Sequence, residues 1–337
     1  MPTAPRPFYI AVIVGTELVC ALAFAACWRL AQAFAMAPRI VERLTQYELH
    51  LASVNPDPKP CARGPGRAVS ALELFTLYDF FQVFIRDRTM YYLNPTVVQP
   101  LCAAHRLSYA ERVGPHQVQW FVSHFWGTQF RLFCESVRRH ALATCGESGE
   151  AWKTSTYWIC TFSNNQYKVE EEVGQSHTDS SFYLALRGGT CKGTCLILDE
   201  SALPLTRSWC LFELLQTIQL ERQQAGFGGL LFCTANGVLN FGAATVEVAM
   251  NIGKKLAGLS LQNADATCQV DKDMINAVVI EEMGSFDAID YCLREHIDAA
   301  LHKCKDSLDG EFTTLFSDLQ HAIEDDPGPT LGGPRYA

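Results

Sequence analysis

Four short apolar runs, each followed by a longer amphipathic stretch, constrain this chain more than any other feature. Val118–Phe125 (VQWFVSHF) is the first, with a helical pattern through about Cys145; Thr156–Phe162 (TYWICTF) is the second, with a helix near Ser180–Arg187. Thr194–Asp199 is the third, followed by a helix that carries Glu213, and Gly228–Thr234 (GGLLFCT) is the fourth, followed by a helix near Thr245–Leu259. A weaker fifth strand is expected within Ser260–Cys268, and Phe286–Lys303 reads as a final helix. Runs that are apolar on both faces belong to parallel strands covered by helices on both sides. The alternation therefore predicts an open, doubly wound α/β domain with a parallel sheet of about five strands.

The chain ahead of that domain divides by composition. Phe8–Trp28 has about the length needed to cross a hydrocarbon core. Glu17, near its centre, costs on the order of 3 kcal/mol there, which the surrounding Leu, Ile, Val and Phe residues offset. Arg29, Arg39 and Arg43 follow the stretch and only Arg6 precedes it, which places the remainder on the cytoplasmic side. Three readings stay open for residues 8–28: a single membrane anchor, a targeting peptide, or a buried helix. The expected organisation is a hydrophobic helix and a following helix over 1–54, a linker over 55–67 (NPDPKPCARGPGR), a helical region over 68–115, the α/β domain over 116–305, and a C-terminal helix and tail over 306–337. In the helical region Leu72, Phe75, Phe80, Phe81, Val83 and Phe84 predict a helix that ends before Asn94-Pro95, with core packing and a membrane-associated face both open. The tail from Asp325 has the composition of disorder.

Composition excludes several function classes. A net charge of −9 leaves no basic stripe to replace phosphate counterions, so nucleic acid is not an expected partner. The 14 cysteines are scattered through predicted elements, as reduced, buried thiols are. Cys191 and Cys195 form a lone C-x3-C with no second half, which is too little for a zinc site. No G-x-x-x-x-G-K-[ST] is present and no G-x-G-x-x-G follows the first strand; Gly226, Gly228 and Gly229 precede the fourth strand and read as turn glycines. No metal or resident cofactor is expected.

In open α/β sheets ligands bind beyond the carboxyl ends of the strands, where strand order reverses. The loops there are Ser123-His124-Phe125-Trp126-Gly127, Ser163-Asn164-Asn165-Gln166, Asp199-Glu200-Ser201 and Thr234-Ala235-Asn236-Gly237. The helix after the third strand is expected to begin near Thr206, with that hydroxyl as its cap. Leu211, Leu214, Leu215 and Ile218 make its core stripe. Glu213 points the other way, with Trp209, Gln216 and Leu220 around it. The candidate catalytic residue is Glu213, and the candidate substrate-binding residues are Ser123, His124, Trp126, Asn164, Asp199, Trp209 and Cys210. The plainer reading is a helix packed on both sides, with Glu213 paired or solvated. A cysteine hydrolase using Cys210 with His124, or with His177 as base, requires nucleophile and base within about 3 Å.

The R-S-W-C-L-F-E-L helix, with Trp209-Cys210 followed by Glu213-Leu214, resembles the Toll/interleukin receptor (TIR) domain family over roughly Gln117–Lys303. That resemblance implies a flavodoxin-like fold and self-association. In enzymatic members the motif's glutamate cleaves the nicotinamide–ribose bond of NAD, a role that falls on Glu213 here, with NAD as substrate. A carboxylate can stabilise the oxocarbenium-like transition state of such a cleavage. The resemblance gives Trp126 or Trp209 a ring to stack, and Ser123 or Asn164 polar groups to hold. The family's Arg-Asp and Pro-Gly loop is replaced by Lys168-Val-Glu-Glu-Glu-Val-Gly174, and its late Phe-Trp motif is absent. Two functions remain open: an NAD glycohydrolase, and a non-enzymatic signalling or scaffold module.

Overall fold

The computed structural model describes residues 39–146, 149–199, 201–266 and 268–325. Contacts divide the chain after Ser53. The described part of the first unit is residues 39–53, all helical; the 8–28 stretch and the tail beyond 325 lie outside the described residues. No helix among the described residues is long and apolar enough to cross a membrane.

The second unit is an α/β domain around a mixed six-stranded sheet of order β1-β3-β2-β4-β5-β6. The strands are β1 (Val69–Ser70), β2 (Trp120–Ser123), β3 (Thr156–Ile159), β4 (Gly193–Ile197), β5 (Leu230–Thr234) and β6 (Gly237–Val238). β2, β3, β4 and β5 run parallel, and the two short edge strands pair antiparallel. The longer helices are α1 (Ala71–Ile85), α2 (Phe130–Cys145), α3 (Ser181–Arg187), α4 (Ser208–Gln223), α5 (Val246–Ala257), α6 (Gln269–Met283) and α7 (Phe286–Asp325).

The strands are buried on both faces because helices cover both. Trp120 pairs with Tyr157 and Phe121 with Thr194, so Tyr157 and Thr194 point to opposite faces. Tyr157 Oη lies 2.9 Å from His140 Nδ1 of α2, and Thr194 Oγ1 lies 2.7 Å from Thr217 Oγ1 of α4. Ser123, two residues after Phe121, therefore faces α4. Leu211, Leu214, Leu215 and Ile218 of α4 are buried together with Leu196, Phe232, Ile252 and Ile275, as their spacing predicted.

Several expectations change. The fifth strand does not form: Ser260–Cys268 holds a 3-10 turn (Leu261–Asn263) and one bridge, Arg207 to Asp265. Its sequence is too polar to be covered on two faces, and among its described residues only Leu261 and Ala264 are buried. The second strand stops at Ile159 and turns into Cys160–Ser163, where Ser163 Oγ accepts from the Ile159 amide at 3.0 Å. The helix expected up to Asn94-Pro95 ends instead at Ile85, with Arg86 at φ 47. Met90–Leu93, a π-type turn (Asn94–Val98) and Gln99–Cys102 follow, with Pro95 in the first turn of the middle piece, where a missing N–H costs little. Within the mostly helical region 68–115, β1 joins the sheet and α1 packs on α2. Its apolar face, Leu74, Leu77, Phe81 and Phe84, is core. The final helix runs past Lys303 to Asp325.

Residues 55–67 are built into the domain. Gly64 takes φ 92, and a Cβ on it would meet Leu184 Cβ at 2.7 Å, so the segment lies directly on α3. Arg67 reaches Glu111 at 3.2 Å and Glu172 at 2.6 Å, and all three are buried. The acidic run thus forms a short helix (Val169–Val173) whose last glutamate is an internal counter-ion.

His140 is fully buried, and desolvation lowers its pKa to about 4. Between that value and the unfolded value near 6.5 the unfolded chain binds the extra proton, so stability falls as pH drops through this window, by up to about 3 kcal/mol. Urea titrations at pH 7 and 4.5 should show a shallower acid loss for His140→Phe than for the wild type.

Candidate functional site

The chain leaves β2 for β3 on one side and returns to β4 on the other, so strand order reverses between β2 and β4. Ser123 ends β2 at that point, and α4 follows β4. Pro204 lies in a 3-10 turn (Leu203–Thr206) ahead of the helix. Thr206 does not cap α4: its hydroxyl bonds to the Leu203 carbonyl at 2.7 Å. The helix start is held instead by the backbone, with Ser208 N donating to Asp265 O at 3.0 Å and Asp265 N to Thr206 O at 2.8 Å.

Glu213, one and a half turns in, is 4% exposed. Burial pushes its carboxyl up to about 8, while Ser123 pulls the other way by favouring the charged form. Ser123 is close enough to act on the carboxyl, yet neither its Oγ nor Glu213 Oε2 completes a hydrogen bond, which leaves two buried polar atoms unsatisfied near the switch point. Unsatisfied buried polar groups are rare, and a cluster of them is what a ligand would satisfy.

Cys160 and Cys210 are the other groups that feel Glu213. Both thiols are pushed up by burial, with the nearby carboxylate adding to it, Cys160 to about 12. Trp126 Nε1 donates to Cys160 Sγ at 3.1 Å, and His124 Nε2 lies 4.0 Å from the same sulfur. Cys210 Sγ meets the carbonyl of His124 at 3.6 Å, not its imidazole. Burial lowers His124 to about 4, which keeps the ring neutral. The reading of Cys210 as a nucleophile therefore fails, since its sulfur meets a carbonyl and not the His124 ring, and burial keeps the thiol protonated at neutral pH. His177 packs its ring on Tyr183 and Phe212 at 6.2 and 6.0 Å.

The structure brings together Ser123, His124, Trp126, Cys210 and Glu213. Asn164 follows the turn after β3; it is buried and its Oδ1 has no partner. Two candidates go elsewhere. Trp209 stacks on Phe182 at 5.1 Å and donates Nε1 to Asp271 Oδ2 at 3.1 Å, so its ring is committed to α3 and α6. Gln216 is tied to Arg187 and Glu282. Asp199 accepts from the amides of Ser201 and Leu203, and it lines a cavity of about 320 Å³ with Thr128, Thr234 and Asn236. Neither this cavity nor a groove of about 820 Å³ between α1 and α2 includes Glu213.

Sequence reading missed Cys160, placed inside a strand although it begins the turn that sets its sulfur against Trp126. It also missed Thr128, a buried hydroxyl without a partner. Neither residue type carries a signal for such a place. The described cysteines are all free, and no three His, Cys, Asp or Glu among the described residues could hold a metal. No family model, curated protein or solved structure matches this chain.

Proposed function

We propose that the domain is a TIR-like, flavodoxin-like hydrolase that cleaves NAD at the nicotinamide–ribose bond, with Glu213 as its catalytic carboxylate. The observation that carries this reading is the buried Glu213 carboxyl, whose Oε2 completes no hydrogen bond, beside the Ser123 hydroxyl at the strand-order reversal, where open α/β sheets bind ligands. The parallel order β3-β2-β4-β5 supports the flavodoxin-like assignment, as the 2-1-3-4 part of the 2-1-3-4-5 order.

The chemistry follows from the burial. In the free protein Glu213 is mostly protonated at neutral pH. The pyridinium of NAD carries a positive charge, and an opposite charge within about 4–6 Å favours the carboxylate by 1–3 pKa units. Substrate would thus ionise the group that must hold the ribose hydroxyls and the developing positive charge at the anomeric carbon. Ser123 would steady the carboxylate, and Trp126 would offer an aromatic edge beside it.

The test is nicotinamide release by the purified chain over a range of protein concentrations, beside Glu213→Ala. Release that vanishes in the variant, with the thermal transition retained, is the expected result. Because kcat/KM reports the free enzyme, its rise with pH should level off near pH 8. No release at any concentration would favour the second reading, a signalling or scaffold module; the near-complete burial of Glu213 is the observation on that side.

A further inference from the structure

Beyond Leu308 the helix α7 is exposed along its described side chains. Cys304 is buried and Ser307 and Leu308 are half-buried, whereas every residue from Asp309 to His321 is exposed. At 1.5 Å per residue that is about 20 Å of helix standing free. An isolated helix of about 12–15 residues is marginal in water even with favourable residues. This one contains Gly310, Thr313 and Thr314, which are poor helix formers.

The free segment is not a plain polar face. Phe312 is 47% exposed, Leu315 49%, Phe316 59% and Leu319 50%. They fall at i, i+3, i+4 and i+7 and so share one side of the helix. With Leu308 the spacing 308, 312, 315, 319 alternates four and three, the seam of a coiled coil. Phe312 and Phe316 stack at 6.0 Å, giving the stripe a continuous aromatic edge. A stripe of this kind on an otherwise unsupported helix is the anchor pattern of helix-to-helix recognition.

Charge selects the occupant. Glu311 and Asp318 flank the stripe on one side and Asp309 on the other, and no lysine or arginine lies between Asp306 and Asp325. Lys305 neutralises Asp309 at 2.7 Å, at the domain end of the stripe, and no lysine or arginine follows it along the helix. We propose that this face docks a basic amphipathic helix of another protein. An antiparallel second copy would set Glu311 and Asp318 against the same residues, and like charges across a coiled-coil seam select against that pairing. An anionic membrane would be repelled by the same acids.

The proposal is tested on the full chain with two fluorescent synthetic helices about three heptads long, both with leucine at the seam, one flanked by lysine and one by glutamate. The lysine-flanked helix is expected to bind about tenfold tighter or better, and to weaken as salt rises. Leu315→Asp should reduce that binding about tenfold or more without shifting the thermal transition, because the side chain is exposed. Equal binding of the two helices, or indifference to Leu315→Asp, would overturn the proposal. So would light scattering that shows a peptide-free dimer which Leu315→Asp converts to monomer, or binding to phosphatidylserine vesicles that matches binding to the peptide.

Discussion

Glutamine in place of Glu213 is expected to stabilise the fold at pH 8 by on the order of 4 kcal/mol and to change it little near pH 4. The carboxyl is held at about 8 in the folded chain by burial, against an ordinary value of 4.5. Between those two values the folded state binds the proton and the unfolded state does not. Stability therefore falls as pH rises through the window, by up to about 1.4 kcal/mol per unit, and the loss is complete above pH 8. Glutamine has the shape of the protonated acid and never ionises, so the alkaline loss disappears in the variant. Urea titrations at pH 5, 7 and 8.5 measure this directly: the two proteins should diverge steadily with pH. Parallel lines would mean that the carboxyl is not kept neutral. If the NAD reading holds, the same substitution removes activity while it adds stability, the trade expected where a functional group is kept at the expense of the fold.

Arg67→Ala is expected to destabilise the domain by about 3–5 kcal/mol, as removal of one member of a buried ion pair does. Arg67 lies between two buried carboxylates whose remaining bonds are already made. Glu111 accepts from the amides of Cys61 and Ser108 at 2.8 Å each, and Glu172 accepts from the Asn165 amide and from Ser181. Alanine would leave two desolvated negative charges without their cation. The loss should be visible as a lowered urea midpoint with an unchanged slope, and as earlier proteolysis within 55–67. Adding Glu111→Gln and Glu172→Gln should recover much of it, because the cost lies in the stranded charges and not in the lost contact. A triple variant as unstable as Arg67→Ala would place the cost in packing instead.

The candidate site was legible in part. Glu213 was marked by its position opposite the core stripe of α4, and Ser123, His124 and Trp126 by their position after an apolar run. That these meet at one edge follows from strand polarity, which apolar runs report well. What surrounds Glu213 was not legible: Trp209, four residues away on the same helix, turns to Phe182 and Asp271, whereas burial and Ser123 set the charge of Glu213, which in turn raises the thiols of Cys160 and Cys210. Helical spacing says which side chains share a face; it does not say which neighbour from another element reaches them first.

By itself the sequence determined the α/β class, the four parallel strands and the helices between them, because apolar periodicity is a local property that backbone geometry converts directly into elements. Only the tertiary structure decided the rest. Pro- and Gly-rich 55–67 becomes a packed segment because Arg67 finds Glu111 and Glu172 far along the chain. Residues 260–268 lose their strand because their neighbour is the start of α4, with room for one bridge. The protonation of Glu213 is decided in the same way: a carboxyl's charge depends on the water and partners around it, and both are set by elements that meet only when the chain has folded.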